Sequence, residues 1–322
     1  VGIKKSYMGL KAKSSILVII CSLVFFGCKT KSGSHFDFDK YHKKHTPSPT
    51  IKSLNTYVTS TDSANPNAKE ILTVATEFNS KGLKTKETHY TEDSGKVEYT
   101  TETKYDDNGN AIETHSVYPI SNYESTEKNT YDKDKHLIAT DWSRTDGTSG
   151  RHEYKYDSHG KMVRWDWFEK GKFVISRLYY YNYDKEGRPI ESICKETKNN
   201  KDTTTDCHET YAYDSVTGLE SGKIVLIEND VPLEIVESQY DSTGNKIMEI
   251  RYERDSTGKL VPDTRTLNIF NPFGDITQST SYKGNKQQSI TDNTYDQYGH
   301  LIESVTKTDS GTKKTRNVYT FY

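Results

Sequence analysis

Two cysteines and two tryptophans offer the clearest chemistry in this sequence. Cys194 and Cys207 flank the polar run Lys195–Asp206. A turn at Asn200-Lys201 would set them directly opposite each other on two strands, so a cross-strand disulfide is expected. A metal site would need further ligands, and only His208 is near, so no metal centre is expected. Trp165 and Trp167 fall on one face of a strand, about 6.6–7 Å apart along it. That spacing suits flat stacking on sugar rings, and it makes them the candidate ligand-binding residues. A turn at Lys170-Gly171 would set Trp165 opposite Ser176 and Trp167 opposite Val174, with Arg164, Asp166 and Phe168 on the other face. The competing reading buries the indoles beside Val163 and Leu178, which would leave each N–H in need of a partner. Ser176 would serve one of them.

A third kind of chemistry lies at the N-terminus. Residues 1–27 contain no Asp or Glu, and Lys4, Lys5, Lys11 and Lys13 precede an apolar run from Ile16 to Phe26. That run has the length of a signal-peptide core, well short of the ~20 residues needed to span a bilayer. It ends Phe25-Phe26-Gly27-Cys28, which resembles the bacterial lipobox, with Phe25 where Leu is usual. The resemblance implies lipid attachment at Cys28 and a cell-envelope location, anchored in the outer membrane and facing the periplasm. Each buried acyl CH₂ contributes about 0.8 kcal/mol to such an anchor. Loss of the signal removes four lysines and takes the formal net charge from −2 to −6. Lipid, not charge, would therefore hold the chain to a membrane.

The elements that must position these residues are foreshadowed by composition. Leu, Ile, Val and Phe number 61, about 19% of the chain, while Tyr alone numbers 24. This is too few aliphatics for a thick core, and Tyr and Thr favour half-buried pleated surfaces. With 44 basic and 46 acidic residues, there is no positive surplus for binding phosphates, which excludes nucleic acid as a partner. Lys29 to about Lys69 is polar and broken by Pro47, Pro49 and Pro66, which reads as a tether. Its cluster Tyr41-His42-Lys43-Lys44-His45 reads as solvated, because nothing nearby in sequence would fix two histidines.

The rest of the chain repeats. An aromatic followed by Asp or Asn occurs at Phe78, Tyr105, Tyr131, Tyr156, Tyr183, Tyr213, Tyr240, Phe270 and Tyr295, at intervals of 25 to 30 residues. Tyr322 follows 27 residues after the last. Glycine stands four residues after each aromatic, except at Lys135 and at Gly218, which is five after Tyr213. An aliphatic follows, as at Ile112, Leu137, Val163, Ile190 and Ile247. Physically this is a hairpin: the aromatic ends a strand, Asp or Asn starts the turn, and glycine takes the left-handed position before a bulge. Second turns are expected at Asp146-Gly147, Lys170-Gly171, Lys283-Gly284 and Ser310-Gly311. An extra one is expected at Ser256-Thr257-Gly258. Each repeat is then two antiparallel strands.

This recurring Y-D-x-x-G-plus-aliphatic pattern resembles the YD repeat of the RHS toxins and teneurins, over residues 74–322. The resemblance implies a spiralling β-sheet. The chain is too short for that family's closed shell, so encapsulation is not carried over. The expected fold is all-β, an elongated, curling antiparallel meander of about nine YD-type double-hairpin repeats. The expected organisation is a signal peptide at 1–27, a flexible tether at 28–70 and a repeat domain at 71–322.

Catalysis finds little support in the sequence. The aspartate of each repeat has a turn to make, His136, His159 and His300 occupy variable turn positions, and no HExxH, nucleophile-elbow or phosphate-loop pattern appears. No catalytic residue and no cofactor are expected. The expected role is non-catalytic: a lipoprotein scaffold binding an envelope polysaccharide or protein. The alternatives are a glycan-acting enzyme with a site assembled across repeats, or an accessory protein of an RHS-type toxin system.

Overall fold

The computed structural model describes residues 38–62, 64–198, 201–227 and 231–322. The expected signal peptide, Cys28, Asn199 and Asn200 lie outside the described residues. One helical turn, α1 (Phe38–Tyr41), precedes twenty strands. They are β1 (Ile51–Thr61), β2 (Ile71–Phe78), β3 (Lys84–Tyr90), β4 (Val97–Tyr105), β5 (Ala111–Tyr118), β6 (Tyr123–Tyr131) and β7 (Leu137–Arg144). Then come β8 (Ser149–Tyr156), β9 (Met162–Glu169), β10 (Lys172–Tyr183), β11 (Pro189–Lys198), β12 (Lys201–Tyr213), β13 (Glu220–Ile227) and β14 (Val231–Tyr240). The last are β15 (Lys246–Arg254), β16 (Leu260–Phe270), β17 (Ile276–Lys283), β18 (Lys286–Tyr295), β19 (Leu301–Thr308) and β20 (Gly311–Phe321).

Each strand pairs antiparallel with the next, and β20 returns to pair with β1, from Ile51↔Phe321 to Thr61↔Thr312. The sheet is a closed barrel. This corrects the expected open meander, and it corrects the tether, because Ile51–Thr61 lies inside the stretch read as flexible. The physical reason is edge pairing. An open meander leaves two rows of unpaired backbone groups, and β1 satisfies the one that β20 would expose. Ile51, Leu54, Tyr57 and Val58 with interspersed Thr suit a strand, but its partner on β20 lies at the far end of the sequence. Asp62 Oδ1 then accepts the Ala64 and Asn65 amides at 2.8 and 2.7 Å, turning the chain towards β2.

The turns follow their sequence chemistry. At Asp106 the amide donates to Asn110 O at 3.0 Å, Gly109 N donates to Asp106 O at 3.1 Å, and Asp106 Oδ1 accepts the Asn110 amide at 2.8 Å. Gly109 has φ 82°, and Lys135 holds the corresponding place at φ 68°. After each such turn the register slips by one residue. Tyr105 pairs with Ala111 and Lys104 with Glu113, which leaves Ile112 unpaired. The aliphatic read as restarting the strand is therefore often the slipped residue: Ile112, Ile190 and Ile247 are all exposed. Of the four expected two-residue turns, Lys170-Gly171 forms as read, with φ 46° and 73°, the primed geometry that matches strand twist. At Asp146-Gly147 the loop is one residue longer, Lys283 pairs with Lys286, and Thr308 pairs with Gly311, so those turns are displaced.

A barrel of twenty strands is too wide to be filled by side chains. Accordingly, the buried apolar residues among those described are only Val58, Ala139 and Cys194. Ion pairs occupy both faces: Lys86–Glu102 and Lys104–Glu113 on one, Lys223–Glu209 and Arg251–Glu249 on the other.

The strands are also joined by tyrosine. Tyr105, Tyr131, Tyr213 and Tyr295 donate their hydroxyls to the carbonyls of Lys84, Ala111, Pro189 and Ile276, each the residue six after the preceding aromatic. At these repeats the tyrosine thus ties its strand to the exit of the turn before it.

Candidate functional site

The tryptophans occupy β9 in a register different from the one expected. Val174 is skipped between Phe173 and Ile175, so Trp167 faces Ile175, Trp165 faces Arg177, and Asp166 faces Ser176. Ser176 therefore lies on the opposite face from the indoles and serves neither. Its own buried hydroxyl has no partner.

Cross-strand pairing places Trp142, His152 and Tyr154 on the indole face. His152 stacks between its neighbours, with its ring 6.5 Å from Trp142, 5.4 Å from Trp165 and 6.3 Å from Trp167. Guanidinium groups cap the row, Arg144 4.6 Å over Trp142 and Arg177 5.7 Å over Trp165. The three indoles are half-buried. Trp142 Nε1, Trp167 Nε1 and His152 Nδ1 are shielded and unpartnered. Burial, reinforced by the charge of Arg144, holds the His152 imidazole below its usual range. Gly150 makes the packing possible: a Cβ there would lie 2.4 Å from both Trp142 Cζ2 and the Phe168 carbonyl. Sequence reasoning missed Trp142 and His152. The signal was present, because Trp142 and Trp167 each stand eleven residues after a repeat aromatic, Tyr131 and Tyr156.

Cys194 and Cys207 face each other across β11 and β12, disulfide-bonded with Cα atoms 5.0 Å apart. The expected turn is displaced, since Lys201 pairs with Lys198. Two register slips along β12 compensate and restore the Cys194↔Cys207 pairing.

The carboxylates are mostly engaged in structure. The Asn110 amide, first among its partners, holds Asp106 below the usual carboxylate range. Burial pushes the Asp157 carboxyl up, but the Lys161 amide and the Tyr183 hydroxyl outweigh it and hold it low. Asp166, buried on the face away from the indoles, takes Arg164 Nε at 2.9 and 2.7 Å. One pair diverges: burial raises the Glu220 carboxyl, whereas Lys223 and Tyr211 overcome burial and lower that of nearby Glu209.

Residues 42–48, read as solvated tether, instead lie across three turns. His42 Nε2 meets Asn245 Oδ1 at 2.9 Å, His45 Nε2 meets Asp275 Oδ2 at 2.8 Å, and Ser48 Oγ meets His300 Nε2 at 3.0 Å. The groups that fix the two histidines are therefore some two hundred residues away in sequence.

No family description and no curated protein matches this sequence. Among solved structures, the chain is similar to the TcdB2-TccC3 structure at 13% identity and TM-score 0.38, covering 84% of this chain and 16% of that one. It is similar to a porin-like protein from Bacteroides uniformis at 11% identity and TM-score 0.35, covering 86% of this chain and 100% of that one. A porin-like protein from Bacteroides vulgatus has 11% identity and TM-score 0.23, with 82% and 97% covered. The chain thus spans about a sixth of the TcdB2-TccC3 chain, and at these scores the likenesses carry no argument about function.

Proposed function

We propose that this chain is a lipid-anchored protein of a bacterial cell envelope whose YD-repeat barrel serves as a non-catalytic binding scaffold. The lipobox-like Phe25-Phe26-Gly27-Cys28 supports the anchor, and the outer membrane, periplasmic side, is the proposed location. The stacked row Trp142–His152–Trp165, with Trp167 beside it, carries the binding assignment. Aromatic faces of this kind suit the C–H faces of sugar rings, so the ligand class is an envelope polysaccharide. Trp165→Ala combined with Trp167→Ala should abolish retention on a polysaccharide array while the melting temperature stays nearly unchanged. Retention equal to wild type, or a collapse in stability that marks the indoles as core, would overturn the assignment.

A second reading, a glycan-acting enzyme, draws on the opposed carboxyl shifts of Glu209 and Glu220. Hydrolysis of the retained polysaccharide, lost in Glu220→Gln, would favour it. Unchanged polysaccharide after prolonged incubation would exclude it.

A further inference from the structure

The segment across the turns has a register. His42 meets Asn245 and lies over Gly274, where a Cβ would come within 2.9 Å of its ring. His45, three residues on, meets Asp275 and lies over Gly299, where a Cβ would come within 2.7 Å. Ser48, three further, meets His300. The backbone keeps the same step, with Lys43 N donating to Pro272 O at 2.8 Å and Thr46 N to Gln297 O at 3.3 Å. Three extended residues advance ~10 Å, and two neighbouring strands span ~9.6 Å. One three-residue step of the segment therefore equals one hairpin of the barrel.

Two of the turns under the segment stand apart in sequence. They carry Pro272-Phe273 and Gln297-Tyr298 at their centres, where other turns carry Asp107-Asn108, Lys133-Asp134 or Lys185-Glu186, while the third, Ser242-Thr243, matches the turn at Ser256-Thr257. Phe273 stacks on the His45 ring at 4.3 Å between centroids. Asp241, Asp275 and Asp296 give this rim a negative charge, and Lys43 and Lys44 give the segment a positive one. Asn245 donates its amide to Asp241 Oδ2 and Thr243 Oγ1, which leaves Oδ1 as the acceptor that selects a donor at position 42. The rim has the parts of a reading surface: an acceptor, a glycine seat and a carbonyl at the steps of residues 42 and 45, and the His300 imidazole at that of Ser48.

We infer that the turns Asp241–Asn245, Asn271–Asp275 and Asp296–His300 form a docking site for an extended, basic peptide segment with imidazole or hydroxyl groups at every third residue. The site is filled here in cis by residues 42–48 and competes for a partner's segment of the same chemistry. The observation is independent of the glycan reading. A tethered segment acts at an effective concentration of the order of 1 mM, so the site admits an outside peptide only when the cis segment is released.

The test uses the full chain and a fluorescent peptide of residues 38–50. His42→Ala with His45→Ala and Ser48→Ala removes the cis contacts. A second chain, with one glycine inserted between Lys43 and Lys44, keeps every side chain and breaks only the register. Both should bind the peptide at least ~10-fold more tightly than wild type does, since a cis competitor near 1 mM is gone. A peptide carrying the same inserted glycine should bind ~10-fold more weakly. Exchange at the Lys43 and Thr46 amides reports whether the segment has left. Released segments without peptide binding, equal binding of the shifted peptide, or persistent protection of those amides in both variants would each overturn the inference.

Discussion

Tyr131 donates its hydroxyl to the Ala111 carbonyl at 3.0 Å, and one hairpin on, Tyr156 does the same to Leu137 at 2.9 Å. At these two turns the tyrosine thus stabilises the preceding turn as well as closing its own strand. At Tyr183 the pattern changes. Its hydroxyl meets Asp157 Oδ2 at 2.8 Å, and Tyr181 takes over the backbone contact, to Met162 O at 3.1 Å. Tyr131→Phe should therefore cost about 1 kcal/mol, the net value of a neutral hydrogen bond, and Tyr183→Phe about 1.5–3 kcal/mol, because its acceptor is charged. Urea denaturation of the two variants measures the difference. Equal losses would mean that the hydroxyls are not what joins neighbouring hairpins.

The same carboxylate predicts a pH dependence. Asp157 is held below its ordinary value of 3.8 by the Lys161 amide and Tyr183, against the opposing effect of burial. A carboxyl depressed in the folded state stabilises fully above its unfolded pKa, and that stability is lost as the pH falls through the folded value. Asp106 and Asp241 are depressed too, Asp106 chiefly by the Asn110 amide and Asp241 chiefly by Thr243 and Asn245 against burial. The barrel should hold its stability from neutral pH to about 4 and lose it steeply below. Asp157→Asn should flatten that fall. Melting curves from pH 7 to pH 3 provide the check, and a variant with the wild-type slope would contradict it.

Backbone conformation at the turns gives a pair of opposite predictions. Gly160 has φ 73°, and Gly160→Val should cost about 1–3 kcal/mol by forcing a branched residue into the left-handed region. Lys135, at φ 68°, already carries that strain, so Lys135→Gly should stabilise by about 1 kcal/mol. Thermal denaturation of both variants should show shifts of opposite sign. Shifts of the same sign would mean that the left-handed positions are not what these turns require.

How much could be read before the structure depended on how local the determinant was. The Asp106–Gly109 turn was legible because its hydrogen bonds close within five residues. The Cys194–Cys207 pairing was legible despite a misplaced turn, because two register slips cancelled the error. The Trp165 register was not, since nothing in the local sequence marks Val174 as the residue skipped between Phe173 and Ile175. β1 was least legible. Its neighbour on β20 lies some 260 residues away, and Pro47, Pro49 and Pro66 around it are the local signs of a tether. His42 and His45 failed for the same reason, because the groups that fix them belong to turns at the far end of the chain.

The cross-strand disulfide should be complete in protein from an oxidising compartment, with no alkylatable thiol at Cys194 or Cys207. Its reduction should cost about 3 kcal/mol by loop-entropy arithmetic for a loop of this size. Intact mass after non-reducing alkylation decides the first point. Alkyl groups on both Cys194 and Cys207, located by peptide mass, would refute the pairing.

Closure of the barrel is the claim on which the rest depends, and one pair of positions tests it directly. Thr56 and Asn317 are cross-strand partners in β1 and β20, with Thr56 Oγ1 donating to Asn317 Oδ1 at 2.8 Å. In a flat open meander these strands would lie ~90 Å apart, at 4.8 Å per strand. Cysteines placed at both positions in the full chain should oxidise to a single intramolecular disulfide, seen as faster migration on a non-reducing gel and a raised melting temperature. Free thiols at both introduced positions in folded, oxidised protein would show that β1 and β20 do not meet and that the ring is open.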